Sequence, residues 1–316
     1  MELQIFDKRL EKKIKKKEAG ETVISFSQYS KYFKCPRSWY LNYIEKIKIS
    51  SESIDLVFGQ AMHDTIQHWL VLLYTSTIKK ATNFDFKAFL LDRIKIEYAS
   101  RIAKHGTHFS NPEELASYYQ EGLQILEYLI KKRSIYFSKK RCKLISIELP
   151  ILTEILESHP TVKFMGFVDV ILYDEDDKTF IIIDLKTSTR GWNDYKKKDV
   201  LTTDQLVLYK YCLAKQFSID IDKIELLYFI LKRKINTDSL WPQKRIQEFK
   251  PSAGSVSINR VKKNLEKYVS ECFNPDGTYK LDRNYPAISG TGSRNCMFCP
   301  YNTEQYCPSK FRIDEK

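Results

Sequence analysis

The sequence predicts an α/β fold, because the spacing of its apolar residues changes along the chain. From Ser25 to Lys140, apolar and aromatic residues recur at helical spacing, and prolines are few. Three later segments are short, apolar and rich in β-branched residues, which is typical of strands: Lys143–Leu149, Val162–Tyr173 and Thr179–Lys186. A helix at Thr203–Phe217 and a strand at Lys223–Leu231 follow. Helices on both sides of a strand-rich middle segment indicate an α/β domain.

Capping residues and prolines mark the predicted helices. Ser25 is a good N-cap for a helix that Pro36 interrupts. A second helix is predicted over Phe58–Tyr74, with one apolar face made by Met62, Ile66, Trp69, Leu70 and Leu73. Further helices are predicted within residues 84–140 and at Ile258–Cys272. Asn, Pro, Gly and Ser dominate after Cys272, so the remainder is expected to be a loop.

The composition favours a folded protein with an anionic partner. The chain has 316 residues, of which 43% are hydrophobic, and this is enough to bury a sizeable core. Its net charge is +12 and its pI is about 9.1. Such a charge suits a polyanion such as nucleic acid, although a protein that is merely rich in lysine would have the same composition.

We expect no targeting segment. The N-terminus is charged from Asp7 through Lys17, and no apolar segment follows it. The longest apolar runs, Phe180–Ile183 and Leu226–Leu231, are far shorter than a membrane span. The expected location is therefore cytoplasmic or nucleoid-associated, where thiols stay reduced. The seven cysteines then indicate metal ligands and core residues, and not a disulfide framework.

A hairpin carries the sharpest catalytic signal. Asp169 lies in one strand, and Asp184 and Lys186 lie two positions apart in the next, so these two point to one face. A loop of two residues (Asp176–Asp177) or of four (Glu175–Lys178) would place Asp169 opposite Asp184 on that face. An odd loop would put the carboxylates on opposite faces. The even loop is therefore a structural requirement of a catalytic role.

Two carboxylates on one face repel each other unless a cation joins them. Mg²⁺ and Mn²⁺ prefer oxygen ligands and keep water in their coordination shell, and such water can attack a phosphorus atom. Lys186 would orient that water or stabilise charge on the phosphoryl oxygens. Taken alone, these residues also fit a surface hairpin whose Asp and Lys side chains form ordinary ion pairs.

Two helices carry pairs of residues four positions apart, which places each pair on one helix face. Gly59 and His63 form the first pair: glycine allows close approach of another group, and His63 can bind or hydrogen-bond a metal ligand. Gln205 and Tyr209 form the second pair, in which Gln205 can hold a water molecule or a phosphate and Tyr209 can cover it. Each pair alone is also an ordinary helix face.

In this order the motifs resemble the RecB-like branch of the PD-(D/E)xK nuclease superfamily, which includes the RecB and AddB nuclease domains and CRISPR-associated adaptation nucleases. The matching motifs are Gly59–His63 (GxxxH), Gly166–Asp169 (GxxD), Asp184–Lys186 (IDxK) and Gln205–Tyr209 (QxxxY). The resemblance covers most of the chain. It implies a restriction-endonuclease-like fold, with a mixed central sheet flanked by helices and one or two Mg²⁺ or Mn²⁺ ions at His63, Asp169 and Asp184. Glu148, in the preceding strand, is interpreted as a structural or supporting residue.

Three cysteines near the C-terminus, Cys296, Cys299 and Cys307, have the spacing C-x2-C-x7-C. Three neighbouring thiolates favour a soft metal, and a tetrahedral or cubane site needs a fourth ligand that the tail does not contain. Cys35 matches the early cysteine of the iron–sulfur members of the same family, so the resemblance implies a 4Fe-4S cluster on these four residues. The family's second gap is usually shorter than the one found here. A structural Zn²⁺ on the same thiolates is the alternative.

We expect four segments along the chain. Residues 1–20 would form a basic N-terminal arm, and residues 21–142 a helical region with Cys35 and the GxxxH helix. Residues 143–272 would form the nuclease core, and residues 273–316 a cysteine-rich clasp. The remaining cysteines are expected to be small core residues: Cys142, Cys212 and Cys272.

A basic segment follows the catalytic strand. We expect contacts with DNA, or else a solvated run of charge, from Arg190, Trp192, Lys196, Lys197 and Lys198. Trp192 and Tyr209 are expected to stack on unpaired bases. Lys232–Lys234 is a weaker candidate for DNA binding, and Arg37 is expected to contact either DNA or the cysteine loop.

Together the motifs predict a metal-dependent deoxyribonuclease that acts on single strands from an end, in DNA repair, recombination or processing. The end preference is implied by the resemblance alone. Two alternatives stay open: a non-catalytic DNA-binding subunit with the same fold, and a nuclease that acts on RNA. The intact Asp169, Asp184 and Lys186 argue against the first. A helicase or a recombination protein is a candidate partner, and no membrane contact is expected.

Overall fold

The computed structural model of the chain describes residues 4–5, 21–49, 52–236, 238–290, 294–308 and 312–313. The predicted N-terminal arm at residues 1–20 lies outside the described residues, apart from Gln4–Ile5. None of the helices in the described segments is long and apolar enough to cross a membrane.

The helices of the described segments are α1 (Phe26–Lys34), α2 (Pro36–Tyr43), α3 (Ile54–Thr75), α4 (Ile78–Thr82), α5 (Phe86–His105), α6 (Pro112–Lys131), α7 (Arg133–Tyr136), α8 (Asp194–Lys198), α9 (Val200–Phe217), α10 (Ser255–Cys272) and α11 (Arg294–Met297). The strands are β1 (Gln4–Ile5), β2 (Thr22–Ile24), β3 (Cys142–Glu154), β4 (Val162–Asp174), β5 (Thr179–Ser188), β6 (Ile224–Lys232), β7 (Ile246–Phe249), β8 (Ala287–Ile288) and β9 (Arg312–Ile313). A 3-10 turn at Ile221–Lys223 precedes β6.

Capping explains where the first helices begin. Ser25 and Gln28 form a reciprocal capping box at the start of α1, and Pro36 stands in the first turn of α2, where a missing N–H costs nothing. The predicted helix at Phe58–Tyr74 begins earlier, at Ile54. Its predicted apolar face is buried, and so are the three cysteines expected in the core: Cys142, Cys212 and Cys272.

The central sheet is mixed and has a gap along one strand. In the described residues its order is β1-β3-β4-β5-β6-β7, with β2 beside β4. β3 runs antiparallel to β4 over nearly its whole length and so occupies one edge of that strand. The other edge of β4 is shared, because β2 pairs with Val162–Phe164 and β5 pairs with Val170–Asp174. Residues 165–169 of β4 therefore lie between β2 and β5 on that edge.

Helices cover both faces of this sheet. On one face, α1, α2, α9 and α10 enclose an aromatic-rich core that includes Trp39 and Tyr268. On the other, α3, α5 and α6 enclose a core that includes Phe58 and Trp69. Strand residues alternate between the two: Ile182 belongs to the first core, whereas its neighbour Ile183 belongs to the second. A mixed sheet between two helical layers fits the predicted restriction-endonuclease-like fold.

The turn between β4 and β5 has the even length that the catalytic interpretation requires. Glu175–Lys178 form a four-residue loop, and the strand pairs run from Asp174–Thr179 to Val170–Ile183. The Asp174 carboxylate accepts hydrogen bonds from the backbone N–H groups of Asp176 and Asp177, which closes the turn. The last of these pairs is Val170–Ile183, and one further step in the same register would bring Asp169 opposite Asp184, the arrangement that a catalytic role requires.

Candidate active site

A cavity of about 990 Å³ opens at the gap in the edge of β4. Its lining includes Met165–Phe167, which lie between β2 and β5, and the side chains of Asp169, Asp184 and Lys186, here called the acidic floor. Polar residues of α1 and α9 and residues Phe298–Pro300 of the C-terminal segment also line the cavity. Residues that are far apart in the sequence therefore meet where the sheet is incomplete.

Asp169, Asp184 and Lys186 meet at the floor of this cavity. Asp184 is only 3% exposed, and its Oδ2 lies 2.7 Å from Nζ of Lys186. The Oδ2 of Asp169 accepts a hydrogen bond of 2.8 Å from the backbone N–H of Leu185. That bond ties Asp169 to β5 directly beyond the last strand pair, so both carboxylates are held on one side of the hairpin.

Burial and mutual repulsion make this site electrostatically costly. Burial raises the pKa of Asp184 to about 6, the charge of Asp169 adds to the rise, and Lys186 opposes it. Burial disfavours the charge on Lys186 as well, but the two carboxylates outweigh that effect and raise its pKa above the ordinary value. A divalent cation would relieve the repulsion between the carboxylates.

The helix α3 brings His63 to the same carboxylate pair. Its Nδ1 lies 3.5 Å from Oδ2 of Asp169. Gly59, one turn earlier, faces the end of β5, where an added Cβ would stand 3.4 Å from Oγ1 of Thr187. The predicted GxxxH face of the helix therefore rests against the catalytic strand, with the imidazole beside the acidic floor.

The GxxD motif and the QxxxY motif contact each other through Gly166 and Tyr209. An added Cβ on Gly166 would stand 2.7 Å from Cε1 of Tyr209, a distance that backbone-attached atoms do not adopt. Gly166 is therefore required so that the ring can pack against β4 in the gap. The hydroxyl of Tyr209 is hydrogen-bonded to the backbone of Phe167 and to Nε2 of Gln205, the latter at 3.4 Å. Burial raises the pKa of Tyr209, so the hydroxyl stays protonated.

Tyr209 is only 6% exposed, which corrects its predicted role in base stacking. Its ring is enclosed by Gly166 and Phe164 and cannot present a face to a base. This position is compatible with the other predicted role of Tyr209, which is to cover a water molecule or a phosphate held by Gln205. Both residues line the cavity.

Gln67 is a site residue that the sequence reasoning missed. It lies one turn beyond His63 on α3 and is 5% exposed. Its Nε2 donates to the backbone carbonyl of Asp169 at 3.2 Å and to Oε1 of Glu148 at 2.6 Å. Glu148 lies in β3 across from Asp169, and its φ of 52° is in the left-handed region that non-glycine residues rarely adopt. The sequence signal for Gln67 was its helical spacing from His63.

The donor types at the cavity floor suit a hard divalent cation. The Oδ2 of Asp184 is fully buried, and within the described segments it makes no hydrogen bond of good geometry beyond the ion pair with Lys186. Carboxylate oxygens and an imidazole nitrogen are ligands that Mn²⁺ accepts, and the carboxylates suit Mg²⁺ as well. In the described part of the chain, no three His, Cys, Asp or Glu side chains stand close enough together to hold a metal ion.

The four cysteines predicted to bind a cluster line one small cavity of their own. Their side chains form no disulfide with each other, and the backbone N–H of Ile288 donates to Sγ of Cys35 at 3.5 Å. Four thiolates are a donor set for a soft metal or an iron–sulfur cluster. Cys35 and Cys299 also line the first cavity, so the two sites share a wall.

The cysteine segment, residues 294–308, is held against α1 and α2 by side chains that bind backbone carbonyls. Asn295 Nδ2 donates to the carbonyl of Lys34 at 2.8 Å. The hydroxyl of Tyr301 donates to the carbonyl of Ile47 at 2.7 Å. Arg37 donates to the carbonyl of Tyr306 at 3.0 Å, which selects the cysteine loop over DNA as its contact.

The basic segment after β5 differs from the expectation at one residue. Trp192 is 6% exposed and packs on Tyr228, with its backbone N–H bound by Gln247, so it cannot stack on a base. The wrong inference came from reading a tryptophan in a charged run as exposed. Among its basic neighbours, Lys197 pairs with Asp194, whereas Arg190, Lys196 and Lys198 are exposed.

Lys232–Lys234, the weaker candidate for DNA binding, has a structural residue at its centre. Arg233 is 8% exposed and forms ion pairs with Glu121 and Asp55. Its guanidinium also lies 4.0 Å from the ring centroid of Tyr118. Arg233 therefore joins α3 and α6 to the end of β6 and does not face solvent.

Comparison with known proteins shows the family to which the chain belongs. The model of the PD-(D/E)XK nuclease superfamily matches residues 23–308, and the chain therefore belongs to that superfamily. Membership indicates a nuclease that hydrolyses phosphodiester bonds of DNA, and nucleases of this superfamily generally use Mg²⁺ or Mn²⁺. Among solved structures, a crystal structure of SSO0001 is similar over 96% of this chain and 93% of that chain, at 16% identity and a TM-score of 0.39. No curated protein sequence matches the chain.

Proposed function

We propose that the protein is a Mg²⁺- or Mn²⁺-dependent deoxyribonuclease of the RecB-like branch that degrades single-stranded DNA from an end. One observation carries the proposal: Asp169, Asp184 and Lys186 meet at the floor of an open cavity, beside His63. The simpler alternative, a surface hairpin with ordinary ion pairs, does not account for an aspartate that is 3% exposed and whose pKa is raised.

The side chains of the site would have two roles, which are to bind the cation and to stabilise charge. Asp169 and Asp184 would hold the cation, with His63 on the side of Asp169. A bound divalent cation supplies an activated water and stabilises charge on the phosphoryl group. Lys186 would release its contact with Asp184, then orient the attacking water or stabilise the phosphoryl oxygens. Gln205 would hold a phosphate oxygen or a water, and Tyr209 would keep Gln205 in place.

The shape of the cavity supports a flexible single strand as the substrate. Residues of α1 and of the cysteine segment, including Phe298, line the cavity together with the acidic floor. A duplex is stiff over about 150 base pairs and enters a walled cavity less easily than a strand does. Phe298 is 89% exposed, which leaves its ring available for contact with an unpaired base.

The decisive experiment compares linear and circular forms of one single-stranded DNA, digested side by side in Mn²⁺. We expect rapid loss of the linear form and slow attack on the circle. Equal rates would replace end-dependent cleavage with internal cleavage in an open groove. An oligoribonucleotide of the same sequence forms the third arm, and faster cleavage of that arm would make the protein a ribonuclease. The Asp184→Asn variant is the control for contaminating nuclease.

We propose in addition that Cys35, Cys296, Cys299 and Cys307 hold a 4Fe-4S cluster. Support comes from their common cavity and from the N–H of Ile288 that points at the Cys35 sulfur, a contact that tunes such clusters. Protein purified without oxygen should be brown and should contain about four irons per chain, together with acid-labile sulfide. One zinc per chain and no iron would assign the site to Zn²⁺.

A further inference from the structure

A second cavity of about 570 Å³ continues from the active site along α1. The two cavities share residues from α1, β5, α9 and the cysteine segment: Phe26, Ser30, Lys34, Lys186, Gln205 and Asn295. The second cavity then extends to α8 and the start of α9. A chain that leaves the catalytic floor therefore has one continuous path past Lys186.

Cations line this second cavity without nearby carboxylate partners. Lys34, Lys196 and Arg294 are exposed, and none is within ion-pair distance of a carboxylate in the described part of the chain. The cavity does contain Asp199, but that carboxylate is engaged by the N–H of Leu201 and by the hydroxyl of Thr202. The surplus of positive charge suits a phosphate backbone.

An aromatic ring stands at the rim of the same cavity. Tyr195 in α8 is 65% exposed, and the guanidinium of Arg294 lies 4.8 Å from its ring centroid. Arg294 also donates a hydrogen bond to the Tyr195 hydroxyl. The pair thus joins α8 to the cysteine segment across the cavity. It combines a flat ring with a cation, the two groups that bind a base and its phosphate in single-strand sites.

We propose that Tyr195 and Arg294 form a nucleotide-binding site that holds the strand next to the phosphate being cleaved, with the Tyr195 ring stacked on a base and Arg294, assisted by Lys34 and Lys196, on the backbone. This inference rests on the proposed function, because it takes the strand to run from the acidic floor along α1. It also replaces Trp192, which is buried, as the aromatic contact of this segment.

The test measures the binding of fluorescein-labelled oligothymidylate by fluorescence anisotropy, in an Asp184→Asn background so that the probe is not cut. Tyr195→Ala should raise the Kd roughly 5- to 150-fold, the loss expected for one stacked base. Tyr195→Phe should bind nearly as the parent does, because the ring is retained. Arg294→Ala should reduce the slope of log K against log salt by about 0.7, the value for one phosphate contact on a single strand. Trp241→Ala removes another exposed aromatic, 79% exposed and outside both cavities, and should not change the Kd.

Two outcomes would overturn the inference: parent-like Kd values for both Tyr195→Ala and Arg294→Ala, or an equal loss in affinity for duplex DNA. Thermal unfolding of each variant separates a lost contact from a lost fold. The nuclease assay with Asp184 intact is read separately. A parent that binds the strand through Tyr195 but does not cut would refute the proposed function and leave the binding site standing. A parent that cuts, with both Tyr195→Ala and Arg294→Ala binding normally, would refute the binding site alone.

Discussion

The catalytic hairpin and the cysteine segment share a cavity wall but are positioned in opposite ways. In the hairpin, the contact between Leu185 and Asp169 joins residues only 16 apart in sequence, and strand register sets it. In the cysteine segment, the contact between Asn295 and Lys34 joins residues 261 apart, and a side chain bound to a backbone carbonyl sets it. Register is a property of the local sequence, whereas the second contact depends on the completed fold.

This difference implies a division of roles between the hairpin and the cysteine segment. In the proposed function the hairpin carries the chemistry, and it should keep its geometry whenever the sheet is folded. The cysteine segment lines the cavity and carries Arg294 of the proposed binding site, so its loss should affect binding and stability more than the bond-breaking step.

Asp184→Asn should lower the rate of hydrolysis by at least about a thousandfold, because it removes a cation ligand and the charge that pairs with Lys186. Folding should not suffer, since a buried charge with a raised pKa is removed. Mn²⁺ should raise the melting temperature of the parent and have little effect on the variant.

Asp174→Asn is the matched control in the same hairpin. Asp174 is also buried, but it caps the turn and pairs with Arg141. Its variant should unfold at a lower temperature and keep the parent rate constant while folded. If Asp174→Asn lost activity as fully as Asp184→Asn, the chemistry would not be confined to the acidic floor.

Gly166→Ala should reduce the rate about a hundredfold, because the new Cβ displaces Tyr209 and shifts the end of β4. Adding Tyr209→Leu to this variant should recover part of the loss, since the smaller side chain leaves room for the Cβ. Gly254→Ala is the control, because nothing lies within 4 Å of a Cβ there. Additive losses in the double variant would show that the two residues act independently.

The hairpin was predictable from the sequence, and much of its surroundings was not. The period of two along β5 was sufficient to place Asp184 and Lys186 on one face, and the even loop that a catalytic role requires for Asp169 is the one found in the structure. The sequence could not show that β2 lies beside β4. The three residues of β2 pair with a strand that follows more than a hundred positions later in the chain. Gly166 was recognised only as part of a motif. A glycine is needed there because the ring of Tyr209 packs against it, and this contact exists only when α9 is packed on the sheet.

The burial of Trp192 explains why its predicted contact with DNA was wrong. Trp192 stands in a polar, basic run, but the side chain of Gln247 on β7 binds its backbone on both sides and carries the ring into the core. Tyr195, three residues later, is the exposed aromatic. The choice between the two depends on a strand that lies beyond the segment, and no local pattern distinguishes them.

Gln67→Leu should weaken Mn²⁺ binding about 10- to 100-fold, as loss of a group that supports a ligand usually does. The change removes the donor that is shared by the Glu148 carboxylate and the Asp169 carbonyl, next to the left-handed backbone of Glu148. The Mn²⁺ concentration for half-maximal rate should rise, while the rate at saturating Mn²⁺ should fall little.

Gln60→Leu provides the control on the same helix. Gln60 Nε2 donates to Asp64, outside the acidic floor, so its loss should not change the Mn²⁺ dependence. Equal effects of the two variants would mean that α3 is merely destabilised, and Gln67 would lose its positioning role.

Cys307→Ser should have the smallest effect on the chemical step and a large effect on the fold around it. The proposed cluster would link the cysteine segment to Cys35, so its loss should reduce the free energy of unfolding by roughly 3–5 kcal/mol, as for a disulfide closing a loop of that length. The Kd for single-stranded DNA should rise, because Arg294 and Phe298 are carried by the same segment. The rate constant at saturating DNA, corrected for the folded fraction, should stay within a few-fold of the parent, since Cys307 lines the small cysteine cavity and not the cavity of the carboxylates. Cys272→Ser is the comparison, because that thiol is buried in the core apart from the segment and its loss should leave iron content unchanged. If folded Cys307→Ser protein were as inactive as Asp184→Asn at saturating DNA, the wall would take part in the chemistry, and the division between the two regions would fail.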